Sequence, residues 1–141
     1  NHVIAAIIYN KVCEARDKKI EFIYDIQNNI NLPLKQFELS EVINNLINNA
    51  FEATEKNELD SKFITLRIYN ENEVNIIEVR NTFSDEIIKL RDKFFKKGFS
   101  TKEEKGHGYG LYTVKKIVES YNGNIQLSVE GKLIVLKILF N

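Results

Sequence analysis

The sequence has little of what several classes of protein require. Its 141 residues include one cysteine, Cys13, which excludes an internal disulfide framework and a zinc site built from cysteines. Twenty Lys and Arg residues balance twenty Asp and Glu residues, so the basic excess of a dedicated nucleic-acid-binding module is missing. No apolar run approaches the roughly 18 residues of a membrane-spanning helix. With 43% hydrophobic residues, the chain is predicted to fold as one domain around a packed core.

Methionine is absent, and proline occurs once, at Pro33. Because the chain begins at Asn1, we expect it to be a piece of a longer polypeptide, with any membrane segment or partner domain in the remainder. Glycine is scarce as well, and three of the six glycines lie within residues 106–110. This local density predicts one special loop, since glycine lets the backbone approach a ligand closely.

The spacing of apolar residues predicts helices that alternate with strands. The predicted helices are Val3–Ala15, Ser40–Glu55, Ser84–Phe95 and Tyr109–Tyr121. The predicted strands are 20–26, 63–69, 74–81, 125–129 and 134–140. Ser40 is expected to cap its helix, and Gly123 is expected to end the last one. Hairpins with helices between them indicate an α/β (α+β) two-layer sandwich, with helices on one face of a mixed, mostly antiparallel sheet.

The Ser40–Glu55 helix is rich in asparagine, a mediocre helix former whose side chain competes with the backbone. Four asparagines lie within residues 44–49. Steps of three and four residues place several polar side chains in one row: Glu41, Asn45, Asn49 and Glu52. A solvated face accounts for this row as well as a binding site does. As a binding site, it would offer neutral oxygen ligands to a hard cation such as Mg²⁺.

A second pattern, Gly106-His107-Gly108-Tyr109-Gly110, follows a polar loop and opens the last predicted helix. Backbone N–H groups at a helix N-terminus favour an anion, and lysines at positions 96, 97, 102 and 105 favour a phosphate. Alone the pattern is weak, because a flexible surface loop can contain the same glycines. Glutamates at positions 103 and 104 also nearly balance the lysines.

Three segments, taken in order, resemble the motifs of sensor histidine kinases. Residues 45–50 (NLINNA) look like the N-box, 97–102 (KGFSTK) like the segment leading into the ATP lid, and 106–112 (GHGYGLY) like the G2 box. The resemblance covers about residues 20–140 and implies the Bergerat ATP-binding fold. More narrowly, the sequence resembles peptide quorum-sensing or citrate-type kinases of Gram-positive bacteria. Residues 1–18 would then end a helix entering from a dimerisation region, and 19–141 would form the ATP-binding catalytic domain.

The resemblance implies roles for individual residues. Asn49 falls where the family holds Mg²⁺ between the ATP phosphates, and Asn45 falls where related ATPases carry the glutamate that activates water. An amide cannot act as a general base at neutral pH, which favours a kinase, although Glu41 and Glu52 leave a displaced base as an alternative. Asn45 and Lys102, the latter screening developing charge, are the implied catalytic residues. The implied nucleotide-binding residues are Asn45, Asn49, Asn81, Gly98, Ser100, Thr101, Lys102, Gly106, His107, Gly108, Tyr109, Gly110 and Leu111.

The G1 box departs from the family pattern. The family has DxGxG here, with the aspartate accepting a hydrogen bond from adenine, whereas residues 79–84 read VRNTFS. Asn81 therefore replaces the aspartate, and both glycines are missing. By strand alternation Asn81 should point inward with Ile77 and Val79, where its amide oxygen can accept from adenine. A neutral acceptor bonds more weakly than a carboxylate, so we expect lower ATP affinity. A turn residue that ends the strand is the alternative.

Together these features lead us to expect the ATP-binding catalytic domain of a two-component sensor histidine kinase, with ATP and Mg²⁺ as cofactors. It would transfer the γ-phosphoryl group to a histidine outside this chain, because His2 lies on what resembles the second dimerisation helix and the acceptor belongs on the first. The expected partners are that histidine, a response regulator and a second copy in a full-length homodimer. The expected location is the cytoplasmic part of a membrane-anchored sensor. The alternatives are a nucleotide-gated pseudokinase that only docks partners, and a Bergerat-fold ATPase or serine kinase.

Overall fold

A computed structural model of the chain describes residues 2–55, 61–83 and 109–141. The elements in these ranges are α1 (His2–Asp17), β1 (Glu21–Ile26), α2 (Gln36–Glu55), β2 (Phe63–Glu71), β3 (Val74–Thr82), α3 (Tyr109–Ser120), β4 (Asn124–Glu130) and β5 (Leu133–Phe140). Each helix and strand predicted within these ranges is present, while the predicted helix Ser84–Phe95 lies outside them. In the three described ranges, no helix has the length and apolar character needed to cross a membrane.

The five strands form one sheet in the order β1-β2-β3-β5-β4. β1 pairs in parallel with β2, and the other three pairings are antiparallel. Adjacent parallel strands need a crossover connection, and α2 lies in the segment that connects β1 to β2. The prediction of a mixed, mostly antiparallel sheet is confirmed.

The helices cover one face of this sheet, and the main core lies between the two layers. Alternate residues of the central strands point to this face, as the period of a strand requires. They pack with the apolar sides of all three described helices in one cluster. Its fully buried members include Val42, Ile43, Ile47, Ile64, Ile68, Ile77, Val114, Val118 and Ile138. The predicted two-layer arrangement is therefore confirmed as well.

The beginning of α2 differs from the prediction, because Ser40 lies inside the helix and is not its cap. The carbonyl oxygen of Lys35 accepts the N–H of Leu39 at 2.9 Å, so the helix begins at Gln36. Oε1 of Glu38 accepts the N–H of Lys35 at 2.9 Å, which is one half of a capping box. The apolar spacing did not predict this first turn, because Phe37 lies outside the apolar stripe of the helix and is 66% exposed.

α3 ends shortly before Gly123, as predicted. Asn122, with φ of +57°, takes the left-handed position there, and the N–H of Gly123 donates to the carbonyl oxygen of Val118 at 2.9 Å. A Cβ atom at Gly123 would lie 2.8 Å from the Val118 side chain and 2.9 Å from the carbonyl oxygen of Leu139. Glycine is therefore required at this position because α3 and β5 approach each other closely there.

The opposite face of the sheet carries a charged cluster around Glu78, which is 1% exposed. Nε of Arg80 donates to Oε2 of Glu78 at 3.0 Å, and the hydroxyl of Tyr69 donates to Oε1 at 3.2 Å. Arg67 and Lys137, its partners in register on the neighbouring strands, approach the carboxylate to 3.6 Å. Burial raises the pKa of Glu78, but the hydrogen bonds and positive charges outweigh burial and hold this pKa below its ordinary value.

This lowered pKa predicts that Glu78 makes the sheet sensitive to acid. Its contribution to stability is present above the unfolded-state pKa of about 4.3 and is lost as the pH falls through the lower folded-state pKa. Glu78→Gln should decrease the free energy of unfolding at pH 7 by about 1–3 kcal/mol and reduce its dependence on pH below about 5. Urea unfolding between pH 3 and pH 8 measures both effects.

The matched control is Glu130→Gln, which removes a carboxylate 3.4 Å from Arg80 at an exposed position. Exposed ion pairs contribute about 0–1 kcal/mol, so this variant should keep nearly all of the wild-type stability and acid sensitivity. If Glu78→Gln unfolds in acid just as the wild type does, the stabilising role of the Glu78 carboxylate is wrong.

Candidate functional site

The polar row of α2 meets the N-terminus of α3. Asn45 and Asn49 lie one helical turn apart, and both are partly buried. A Cβ atom placed on Gly110, the second residue of α3, would lie 2.8 Å from Oδ1 of Asn45 and 3.7 Å from Nδ2 of Asn49. The fold thus brings two amides of the N-box segment against the last glycine of the G2 segment, although these segments are far apart in the sequence.

Hydrogen bonds within α2 orient both amides. Nδ2 of Asn45 donates to the carbonyl oxygen of Glu41 at 2.7 Å, and Nδ2 of Asn49 donates to the carbonyl oxygen of Asn45 at 2.7 Å. Because each amide nitrogen is bonded back along the helix, the amide oxygen is the group that each side chain can offer to a ligand. Neutral oxygen atoms of this kind suit a hard cation, so the two amides fit Mg²⁺.

Asn81 lies near the end of β3 on the face that the helices cover, as strand alternation predicted, and it is 5% exposed. Its Nδ2 donates to the carbonyl oxygen of Thr82 at 2.9 Å. The same carbonyl accepts the hydroxyl of Thr54, on the last turn of α2, at 2.9 Å. Beside this amide lies a small apolar cluster formed by Ala53, Phe83 and Ile134. The inward direction of Asn81 is confirmed, and a polar group next to an apolar wall suits a heterocyclic base.

A known protein family matches most of the chain. Residues 34–141 match a family model described as the GHKL domain. This chain belongs to the GHKL family. The prediction of an ATP-binding domain of the sensor histidine kinase type is confirmed, because the curated relatives of this GHKL domain are sensor kinases.

Two curated relatives illustrate the similarity. The sensor histidine kinase DpiB of Escherichia coli is 33% identical over 129 residues, which are 88% of this chain and 23% of DpiB. The sensor protein CitS of Halalkalibacterium halodurans is 31% identical over 133 residues, which are 92% of this chain and 24% of CitS. The GHKL domain therefore spans about a quarter of the length of the curated relatives that it matches.

The fold is also that of solved kinase domains. The catalytic domain of the histidine kinase ThkA superposes with a TM-score of 0.81 at 22% identity, covering 99% of this chain and 92% of that domain. This agreement confirms the Bergerat-type fold that the motifs implied.

The other two asparagines of residues 44–49 lie outside the polar row of α2 and form hydrogen bonds of their own. Nδ2 of Asn44 donates to Oγ of Ser40 at 3.3 Å, within the helix. Oδ1 of Asn48 accepts from Nζ of Lys11 on α1 at 2.7 Å, and the Lys11 side chain is buried. This contact was not predicted from the sequence. Its signal was the place of Lys11 in the apolar stripe of α1, three residues after Ile8.

A tyrosine fixes the far end of α3 to α2. The hydroxyl of Tyr121 donates a short hydrogen bond to Oε1 of Glu38. This bond lowers the pKa of Glu38 and raises the pKa of Tyr121, since it stabilises the carboxylate and keeps the phenol protonated. α3 therefore lies close to α2 at Gly110 and is hydrogen-bonded to it through Tyr121, just after the end of α3.

Part of the predicted site lies outside the described residues: Gly98, Ser100, Thr101, Lys102, Gly106, His107 and Gly108. The backbone of Tyr109 begins α3, and Leu111 packs against the main core. The described part of the GHKL domain holds no cluster of three or more His, Cys, Asp or Glu side chains suited to a metal.

Gly110→Ala should weaken nucleotide binding without unfolding the domain. The added methyl group would lie 2.8 Å from Oδ1 of Asn45, so Asn45 must leave its position. We expect the affinity for Mg-ATP to fall by at least about tenfold, the effect of losing about 1.4 kcal/mol of binding free energy. Isothermal titration calorimetry measures the affinity, and circular dichroism verifies the fold.

Gly131→Asn is the control, because Gly131 lies in the β4–β5 turn with φ of +61° and a Cβ there meets no atom within 4 Å. Asparagine tolerates this backbone conformation, so binding should be unchanged. Wild-type affinity in Gly110→Ala would show that this contact does not border the nucleotide site.

Proposed function

We propose that this chain is the catalytic domain that transfers the γ-phosphoryl group of Mg-ATP to a histidine outside it, in a two-component sensor histidine kinase. The observation that carries the proposal is the meeting of Asn45 and Asn49 with Gly110 at the start of α3. The contact supports the proposal because amide oxygens suit a cation and a helix N-terminus suits a phosphate. The acceptor would be a histidine of the dimerisation region, because His2 lies on α1, which resembles the second helix of that region, whereas the acceptor belongs on the first.

Each part of the site has a proposed role. Asn49 would hold Mg²⁺ through its amide oxygen, and the ion, when bound, would neutralise charge on the phosphates. Asn45 and the backbone N–H groups of Gly106, Gly108 and Gly110 would position the phosphates, and Lys102 would screen the developing charge. The other proposed nucleotide contacts are Gly98, Ser100, Thr101, His107, Tyr109 and Leu111.

Asn81 would accept a hydrogen bond from the adenine amino group. One N–H of its amide is bonded to the carbonyl of Thr82, so the amide is oriented and its oxygen is the acceptor that it offers. The apolar side chains of Phe83 and Ile134 would pack against the base. We expect a weaker bond than the aspartate of the family pattern makes, because a neutral amide oxygen is a weaker acceptor than a carboxylate.

A second candidate function, ATP hydrolysis, is supported by one contact. Nδ2 of Asn45 lies 3.3 Å from Oε2 of Glu41, so a carboxylate stands next to the amide that replaces the usual base. Against it, Asn45 itself has no basic form at neutral pH, which favours a kinase over an ATPase or serine kinase.

The lengths and names of the curated relatives support a proposed organisation of the whole protein. Residues 1–18 would end a helix from a dimerisation region, and residues 19–141 would form the catalytic domain. The full-length protein would be a homodimer that passes phosphate to a response regulator. It would be anchored in the membrane with this domain in the cytoplasm. The support is that the curated relatives are sensor kinases about four times the length of this chain.

The deciding experiment measures phosphotransfer directly. The chain is mixed with γ-labelled Mg-ATP, alone and with the dimerisation region of its own full-length protein. Acid-labile phosphate on the dimerisation region, and none on the chain alone, is the expected result. Phosphate on His2 would show that the acceptor is misplaced. ATP binding without transfer would indicate a pseudokinase, and release of inorganic phosphate that Glu41→Gln abolishes would indicate an ATPase.

Asn49→Ala should remove the dependence of ATP binding on Mg²⁺. The side chain is on the polar side of α2, and its loss takes away the amide oxygen while the apolar side stays packed. Calorimetry with Mg²⁺ and with EDTA should give the same weak affinity, at least about tenfold below that of the wild type with Mg²⁺.

Asn44→Ala is the matched control, since Asn44 is on the same helix and bonds only within it in the contacts that the structure describes. It should keep the wild-type response to Mg²⁺. A Mg²⁺ response that survives in Asn49→Ala contradicts the metal role of Asn49.

Asn81→Asp should bind ATP more tightly and fold less stably. A carboxylate acceptor makes a charge-assisted bond to adenine, worth roughly 1 kcal/mol more. In the free domain the same carboxylate faces the carbonyl oxygen of Thr82 without a proton to donate, which costs stability. Titrations with ATP and thermal unfolding of both proteins measure the two effects. Equal or weaker ATP binding by the variant would defeat the acceptor role of Asn81.

A further inference from the structure

We propose that Thr54 is a positioning residue that fixes Asn81 as a hydrogen-bond acceptor, and so sets a preference for purines with an amino group at C6 over 6-oxo purines. The inference rests on the proposed function, because it needs the base to lie at Asn81. Thr54 is at the end of α2 and is 0% exposed. Its hydroxyl donates to the carbonyl oxygen of Thr82 at 2.9 Å.

The carbonyl of Thr82 is the acceptor for two donors. It receives the hydroxyl of Thr54 and the amide nitrogen of Asn81, each at 2.9 Å. A carbonyl oxygen has two lone pairs, so both bonds can form together. One N–H of Asn81 is engaged in this way, which orients the amide so that its oxygen is the acceptor it offers. That oxygen accepts from an amino group but repels the oxygen of a 6-oxo purine.

The strand end that carries this carbonyl is held from two sides. The N–H of Phe63, at the start of β2, donates to Oγ1 of Thr82 at 3.3 Å, and α2 holds the carbonyl through Thr54. Thr54, Asn81 and Thr82 are three of the five buried polar or charged residues in the described ranges, and they form one connected network. Such networks fix side-chain orientation when every member is bonded.

Removal of the Thr54 hydroxyl breaks this network at one point. The Thr82 carbonyl then keeps its bond to Asn81 but loses its link to α2. Because the carbonyl can then move with the strand end, the Asn81 amide can turn its nitrogen toward the ligand. A turned amide donates to the oxygen of a 6-oxo purine and no longer accepts from an amino group. The expected effect is therefore on the choice between two nucleotides, which a loss of packing alone would not change.

The test is calorimetry of the 141-residue chain with Mg-ATP and with Mg-inosine triphosphate, which carries an oxygen at C6. Thr54→Val removes the hydroxyl and keeps the branched shape, whereas Thr54→Ser keeps the hydroxyl and loses the methyl group. We expect the wild type to bind ATP more tightly than inosine triphosphate. The ratio of the two affinities should fall about fivefold in Thr54→Val and stay unchanged in Thr54→Ser. In an Asn81→Ala background, Thr54→Val should change the preference no further.

Each other outcome overturns the inference. A wild-type preference in Thr54→Val, with the preference lost in Asn81→Ala, overturns it and leaves the proposed function standing. Equal loss in Thr54→Val and Thr54→Ser assigns the effect to packing and overturns it too. A wild-type chain that does not bind ATP overturns the proposed function together with the inference. If Thr54→Val does not fold, Thr54→Ala removes the same hydroxyl and carries the same expectation.

Discussion

The packing of α2 against the sheet is the interaction on which the rest of the structure depends. Its apolar side is buried among β2, β3 and the other helices, and each buried aliphatic side chain contributes about 1.5–3 kcal/mol. If α2 were rotated about its axis by the angle of one residue, about 100°, its apolar side would be exposed. The apolar residues therefore fix the rotation of α2, and with it the direction in which Asn45 and Asn49 point.

Three polar contacts then fix the position of α2 along its length. Glu38 bonds Tyr121 near the start, Asn48 bonds Lys11 in the middle, and Thr54 bonds the Thr82 carbonyl at the end. These contacts reach the residue after the end of α3, then α1, and then β3. The apolar core sets the orientation of the helix, while specific hydrogen bonds set which neighbours its polar residues meet.

Much of the fold could be predicted from the sequence, because the spacing of apolar residues reflects which side chains of each helix and strand are buried. Alternation placed Asn81 on the inner face, and helical spacing aligned Asn45 with Asn49. One failure has a physical reason: Phe37 lies exposed in the first turn of α2, so the apolar stripe did not mark where the helix begins. The bonds of Lys11 and Thr54 could not be predicted, since partners on different elements leave no periodic pattern in the sequence.

The parallel pairing of β1 with β2 has a consequence for how the domain folds. The hairpins β2–β3 and β4–β5 join neighbouring segments, so each closes a short loop at little entropic cost. β1 can pair with β2 only across the long connection that contains α2, which makes this pairing slower to form. Closing that connection also lays α2 on the sheet. The chain therefore brings Asn45 and Asn49 into position in the same step that completes this edge of the sheet, and a partly folded chain with only its hairpins would leave these amides unplaced.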